Sequence, residues 1–206
     1  MTVDDVDVAL PCAEVRRPGR PRSSEADQAI LDAAIELYGA HGLGGLTVDA
    51  VAALAGVSKA TIYRRYPSKA DLVIAAANRA AEAKEPKEIT GDIRRDVRNV
   101  LERLRAVMED PKVGAACRML TMDAHRDEQL RCLHREFVKH RRSRTMAMLD
   151  DAVARGDLRA DTDTYLAAEQ LSAPLFYRFL VSGDPIDDAY LDTVVDTFLR
   201  AHELRR

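Results

Sequence analysis

Apolar residues recur every three or four positions along most of this chain, and short clusters of Gly, Pro, Ser and Asp separate the resulting segments. This spacing places apolar side chains on one face of an α-helix. The pattern therefore predicts an all-α protein. The predicted helices cover residues 23–41, 48–55, 59–66, 69–84, 92–110, 113–125, 127–155, 162–181 and 187–200.

Two of these helices are short, and a tight break joins them. Thr47 and Ser58 stand where a side-chain hydroxyl can cap each helix, and Ser68 can cap the helix that follows. Gly56 ends the first helix, and Pro67 stops the second. This is the helix-turn-helix pattern, in which the second helix enters the major groove of DNA. Two short amphipathic helices of a protein that does not bind DNA would show the same spacing, so periodicity leaves both interpretations open.

The order of residues in this stretch resembles the DNA-binding domain of the TetR/AcrR family of transcriptional regulators. The family pattern is a Thr-opened helix, an Ala-Gly-Val-Ser turn, a recognition helix ending in Tyr-Arg-His-Phe, and Pro-x-Lys before an acidic residue and Leu. The matching residues are Thr47, Ala55-Gly56-Val57-Ser58, Tyr63-Arg64-Arg65-Tyr66, Pro67-Ser68-Lys69 and Asp71-Leu72. Ala60 replaces a common Gly, and Arg65-Tyr66 replaces His-Phe, a departure that bears on site specificity and not on the fold.

The residues expected to contact DNA combine helix ends, the second helix and an arginine arm. The run at residues 16–22 contains two prolines, a glycine and four arginines, so we expect an extended arm that reaches the minor groove. A solvated charged tail is the alternative interpretation. The predicted contacts are Arg20, Arg22, Thr47, Ser58, Lys59, Thr61, Tyr63, Arg64, Tyr66 and Lys69.

A polar break at residues 85–91 contains Pro86 and Gly91 and marks the predicted domain boundary. We expect a disordered segment at residues 1–15, a helix-turn-helix DNA-binding domain with its arm and connecting helix at residues 16–84, and a helical ligand-binding and dimerisation domain at residues 85–206. The helix at residues 69–84 is expected to be the only rigid element that connects the two domains. The link at residues 156–161 resembles the Gly-Asp-Leu-Arg-x-Asp link of one branch of TetR-family ligand-binding domains.

The last two helices carry aromatic residues in more directions than one core-facing stripe requires. A second apolar face predicts a homodimer through these helices, as the resemblance also implies. A thick monomer core is the alternative.

Charge is unevenly distributed along the chain. The net charge is −3, but residues 16–69 hold eight Lys/Arg and five Asp/Glu. A basic amino-terminal module on an acidic body suits a protein that touches double-stranded DNA with one end.

Three cysteines fit a reducing compartment better than a disulfide framework. No apolar run reaches the ~20 residues of a membrane span, and Asp4, Asp5 and Asp7 stand where a signal peptide would be positive. We therefore expect a cytoplasmic protein with no membrane partner.

The sequence carries no motif of a known enzyme class and only a weak candidate for a metal site. It contains no Gly-rich phosphate loop, nucleophile elbow or His-Glu-x-x-His pattern, so neither an enzyme nor a cofactor is predicted. Cys132, Glu136 and His140 are spaced four apart and could ligate a metal, but a chance stripe on a mixed helix is the favoured interpretation. A metal- or thiol-responsive regulator using Cys117 and Cys132 stays an alternative, and a helical enzyme or scaffold that does not bind DNA is a third hypothesis.

The resemblance implies an effector pocket among the middle helices. An inward-facing arginine such as Arg118 or Arg144 would favour an anionic effector. The candidate lining residues are Met108, Met119, Met122, Phe137, His140, Tyr165, Phe176 and Tyr177. The expected function is a repressor that binds a palindromic operator as a homodimer and is released by a small molecule.

Overall fold

The computed structural model describes residues 22–83 and 89–203. Within these ranges the chain is all-α, and its only extended pairing is an isolated bridge between Leu158 and Glu203. The helices are α1 (Arg22–Gly45), α2 (Val48–Ala55), α3 (Lys59–Tyr63), α4 (Lys69–Glu82), α5 (Ile93–Glu109), α6 (Pro111–Asp123), α7 (Glu128–Arg155), α8 (Thr164–Tyr177) and α9 (Asp188–His202). The prediction of an all-α fold is confirmed.

The ends of the first short helices follow the predicted chemistry. The hydroxyl oxygens of Thr47 and Ser58 each accept a backbone N–H three residues further on, at 3.2 Å in both cases. Gly56 takes the left-handed conformation with φ 66° after α2, which a side chain would disfavour. Ser68 and Asp71 form a reciprocal capping box at the start of α4. These caps fix where α2, α3 and α4 begin.

Several helix ends differ from the prediction. The second short helix ends at Tyr63 and not at Tyr66, and the backbone tightens after it, since the N–H of Arg65 bonds to the carbonyl of Ile62 three residues back at 2.9 Å. Pro67 follows, and the residue before a proline avoids the helical region. At the other end of the domain, α1 is described from Arg22 onwards, ahead of the predicted start at residue 23.

The penultimate helix begins two residues later than predicted and changes its winding near its end. It begins at Thr164, capped by Asp163, and Pro174 lies inside it. Because proline has no N–H, it removes one backbone hydrogen bond of the helix. A π-helical turn, Arg178–Ser182, then continues α8, and Gly183 caps its end in the left-handed conformation.

Two clusters of buried apolar residues hold the helices together. The first contains residues of α1, α2, α3 and α4, together with Ala116 and Leu120 of α6 and Leu130 of α7. The second joins α5, α8, α9 and the carboxyl-terminal half of α7. The amino-terminal helices therefore share a core with α6 and α7. No helix in residues 22–83 or 89–203 has both the length and the apolar character needed to span a bilayer.

A second connection joins the amino-terminal helices to the rest of the chain. Helix α1 packs along α6 at Gly39, where an added Cβ would lie 3.0 Å from the backbone nitrogen of Ala116 and the carbonyl of Lys112. This close approach corrects the expectation that the helix at residues 69–84 is the only rigid link.

Candidate nucleic-acid interface

Helix α3, the recognition helix of the helix-turn-helix, has one anchored face and one open face. Ile62 is 1% exposed and packs in the first core. Tyr63 is 53% exposed, and Lys59 and Arg64 are also exposed. Because Ile62 holds one face of the helix against the core, the side chains of Lys59, Tyr63 and Arg64 are on the solvent side. Such a surface can meet phosphates and base edges in a groove.

Two contacts order the start of the recognition helix. The hydroxyls of Ser58 and Thr61 are 2.9 Å apart, and Lys59 forms an ion pair with Asp49 of α2. The ion pair is exposed and adds little stability. It places a negative charge beside the lysine predicted to contact DNA, and Asp49 was not foreseen from the sequence.

The end of the recognition helix is tied to α1 through one carboxylate. Asp27 Oδ1 accepts hydrogen bonds from Arg65 Nη1 and from the Tyr66 hydroxyl, both at 2.8 Å. Burial, followed by the hydrogen bond to Asp27, raises the pKa of Tyr66, so its phenol stays protonated and donates. The hydroxyl of Tyr66 is thus directed into the protein, although Tyr66 was predicted to approach DNA. The sequence held one signal for this contact, namely Arg65-Tyr66 in place of the His-Phe of the family pattern. Two neighbouring hydrogen-bond donors at these positions require an acceptor nearby.

The start of α4 lies next to the recognition helix. Lys69 is exposed in its first turn, and Thr47 is exposed at the start of α2. A hydroxyl that accepts a backbone N–H still has its own hydrogen to donate, so the Thr47 cap remains able to reach a phosphate. The first turn of α7 also reaches this point, because Gln129 Nε2 donates to Ser68 Oγ at 2.9 Å.

The arginine arm lies almost entirely outside the described residues. Arg20 precedes them, and Arg22 is described only as the first residue of α1. The minor-groove contact of these two arginines stays a prediction.

The eight residues predicted to line an effector pocket lie in different environments. Met108 and Phe176 belong to the second core, whereas Met119 and Phe137 pack against the first. The other four are exposed, namely Met122, His140, Tyr165 and Tyr177.

The inward-facing arginines are different from those proposed from the sequence. Arg118 and Arg144 are exposed, and the Arg118 guanidinium lies 4.8 Å from the centre of the Phe179 ring. Arg103 of α5 and Arg141 of α7 are half-buried. Burial and the neighbouring charge of Arg141 lower the pKa of Arg103 to about 10. Burial also lowers the pKa of Arg141, which the charge of Glu82 opposes. Both guanidiniums remain cationic at neutral pH.

The structure bears on the candidate metal ligands and on the Cys117 thiol. Within residues 22–83 and 89–203 no three His, Cys, Asp or Glu side chains are grouped as metal ligands. Cys117 is a free cysteine, and burial raises the pKa of its thiol to about 11. A thiol held protonated in this way is a poor nucleophile at neutral pH.

A groove of about 430 Å³ runs along the outer side of α8 and α9. The Tyr190 hydroxyl donates to the Pro174 carbonyl at 3.2 Å, and the His202 and Gln170 side chains are hydrogen-bonded at 3.0 Å. The lining also includes Thr193, Val194, Thr197 and Phe198 of α9. The groove is open along helices that carry further exposed apolar residues.

A capped helix-turn-helix on a helical body defines a DNA-binding transcription regulator. Residues 30–76 match the family described as bacterial regulatory proteins, tetR family, and residues 88–198 match the tetracyclin repressor-like C-terminal domain. The chain belongs to the TetR family of transcription regulators. The family is one of regulators and not of enzymes.

Relatives that cover most of the chain support this assignment. The HTH-type regulator YdeS of Bacillus subtilis is 31% identical over 182 residues, covering 87% of this chain and 91% of YdeS. The DNA-binding transcriptional repressor TetR of Mycobacteroides abscessus is 31% identical over 86% of this chain and 94% of its own. The crystal structure of the TetR family regulator SCO0332 superposes with a TM-score of 0.71 at 30% identity, covering 85% of this chain and 97% of that one.

Proposed function

We propose that this regulator is a repressor that binds a palindromic operator as a homodimer and is released by a small molecule. The observation that carries the proposal is the open face of α3, with exposed Tyr63 and Arg64 above a buried Ile62. The 31% identity to the M. abscessus repressor supports repression over activation. A DNA-bound regulator acts where the chromosome lies, in the cytoplasm.

The reading surface would consist of the recognition helix and the exposed helix starts beside it. Lys59, Tyr63 and Arg64 would face the major groove, while Thr47 and Lys69 would meet phosphates. The positive end of the α4 dipole lies next to Lys69 and favours an anion there. Residues 16–84 form the DNA-binding domain in this proposal, and residues 85–206 form the sensing and dimerisation domain.

The dimer interface would form on α8 and α9. On α8 and its π-helical turn, Tyr177 is 59% exposed and Val181 is 69% exposed, which suits burial against a second copy. Two identical subunits would bury the same patch on each side. Two recognition helices would then be held about 34–36 Å apart, or a multiple of that, and would read a palindrome.

The effector would bind among α5, α6, α7 and α8, and we propose that it is acidic. Arg103 and Arg141 are half-buried cations on two facing helices. A carboxylate or phosphate forms strong charge-assisted hydrogen bonds with a guanidinium in such a place. An acidic compound therefore gains more from this site than a neutral compound of the same shape.

A mobility shift with the DNA upstream of the protein's own coding region tests the proposal. Wild type should retard this duplex at low nanomolar to micromolar concentration and resist competition by unrelated DNA. Arg64→Ala should lose this preference, while Arg155→Ala, at an exposed arginine at the end of α7, should keep it. Equal retardation of unrelated DNA by the wild type would contradict operator binding.

A further inference from the structure

Helix α1 breaks at Gly42, five residues before Thr47, the cap of the helix-turn-helix. Gly42 has φ 64° and ψ −175°, which interrupts the helical path within α1. A new turn begins directly after it, because the N–H of Leu46 bonds to the carbonyl of Gly42 at 3.0 Å. Leu46 is buried in the first core, and Thr47 then caps α2. The break therefore sets the direction in which the chain enters the helix-turn-helix.

The backbone N–H that the break leaves without a helical partner donates to a side chain of α6. The N–H of Leu43 cannot continue the α1 ladder, and it donates to Asp123 Oδ2 at 2.8 Å. The same oxygen accepts the Tyr38 hydroxyl at 3.2 Å. Asp123 is the last residue of α6, so a carboxylate from the carboxyl-terminal half caps a turn in the amino-terminal half. A capping oxygen satisfies an otherwise orphaned N–H, and its charge suits the positive start of a turn.

The surrounding contacts make this attachment stiff. Gly39 fits against the α6 backbone with no room for a side chain, and Lys112 of α6 pairs with Glu36 of α1 at 2.6 Å. Burial and the nearby Asp123 carboxylate raise the pKa of Tyr38, which keeps its phenol a donor. A displacement of α6 therefore carries the break in α1 with it.

We propose that Asp123 is a positioning residue for operator binding: it holds the entry to the helix-turn-helix in the orientation that fits DNA. The proposal rests on operator binding by the dimer. Asp123 is bonded to Tyr38 and Leu43 of α1 and is not on the proposed DNA-reading surface, so it acts through the direction of α2 and α3. A movement of α6 reaches the recognition helix by this path in addition to the path through α4.

The test compares three variants in operator binding. Asp123→Leu removes the oxygen that accepts both hydrogen bonds and keeps a side chain of similar size. Asp123→Asn keeps a carbonyl oxygen that can accept the Leu43 N–H. Asp110→Ala is the control, because Asp110 caps the opposite end of α6 through the N–H groups of Lys112 and Val113.

The readouts are operator affinity, affinity for unrelated DNA, and the salt dependence of each. Asp123→Leu should bind the operator about tenfold more weakly, while Asp123→Asn should stay within about threefold of wild type. Affinity for unrelated DNA and the salt slope should not change, because no phosphate contact is removed. A general loss of folded protein would instead lower both affinities together. Tyr38→Phe, which removes one donor and keeps the ring, should weaken operator binding by about twofold to threefold even if Asp123→Leu folds poorly.

Two results would overturn the proposal for Asp123 and leave operator binding standing. One is wild-type preference for the operator in both Asp123→Leu and Tyr38→Phe. The other is an equal loss of preference in Asp110→Ala. A wild-type protein that prefers no DNA site overturns operator binding and this proposal together, so the two failures are distinguishable.

Discussion

Removing the Asp27 carboxylate takes away the acceptor for two donors at the end of the recognition helix. Arg65 Nη1 and the Tyr66 hydroxyl both bond to Asp27 Oδ1 at 2.8 Å, and the Arg65 and Asp27 side chains are 19% and 28% exposed. Hydrogen bonds to a charged group contribute about 1.5–3 kcal/mol each, and partial exposure favours the lower end. We expect Asp27→Ala to lower the free energy of unfolding by about 2–3 kcal/mol.

Urea denaturation followed by circular dichroism measures this loss, and a double-mutant cycle assigns it. Tyr66→Phe alone should cost about 1.5 kcal/mol. The double variant should lose less than the sum by about 1 kcal/mol, because both changes remove the same bond. Asp32→Ala, at an exposed position of α1, is the control. A loss below about 0.5 kcal/mol in Asp27→Ala would refute the reasoning, because that is the range of an ordinary surface substitution.

The same contact predicts a dependence on alkaline pH. An unfolded tyrosine titrates near pH 10, and the pKa of Tyr66 is raised in the folded protein, chiefly by burial and then by Asp27. The stabilisation from Tyr66 is therefore complete below about pH 10 and is lost as pH rises towards the folded pKa. The pKa of Tyr38 is also raised, so Tyr66→Phe should reduce the alkaline loss of stability and not abolish it.

Three further changes test the proposed surfaces. Lys69→Ala should flatten the plot of log affinity against log salt by about one unit, and an unchanged slope and affinity would remove Lys69 from the DNA contacts. Tyr177→Asp should convert the dimer to a monomer in sedimentation, because it places an unpaired charge in the interface, whereas Ile89→Asp, at a similarly exposed site, should not. Arg141→Met should abolish stabilisation by acidic compounds that raise the melting temperature of wild type; an undiminished shift would place their binding elsewhere.

The helix caps were predictable from the sequence because they are local. Thr47, Ser58 and Ser68 each bond to a backbone N–H three residues away, so residue type and spacing define the contact. Gly56 was predictable for the same reason, since a positive φ is a property of one residue.

The contacts that hold the helix-turn-helix in place were not predictable in this way. Asp27 lies 38 and 39 residues from its two donors, and Asp123 lies 85 and 80 residues from Tyr38 and Leu43. Periodicity shows which residues share a helix face, but it does not pair one helix with another.

The direction in which a helix side chain points limited the prediction of the effector-pocket residues. Each residue turns about 100° around an α-helix, so neighbours point in different directions. On α7, His140 is exposed while the adjacent Arg141 is half-buried, and Arg144 is exposed again. The long helix mixes polar and apolar residues throughout, so the sequence did not select Arg141.

Footprinting of the DNA upstream of the coding region tests the central claim most directly. The proposal predicts one protected site with two-fold sequence symmetry, whose half-site centres are about 34–36 Å apart or a multiple of that. An acidic compound that stabilises the free protein should remove the protection, and by linkage the operator should weaken binding of that compound by the same factor. Protection without symmetry, or no protected site at concentrations where the protein is dimeric, would contradict an operator-binding dimer.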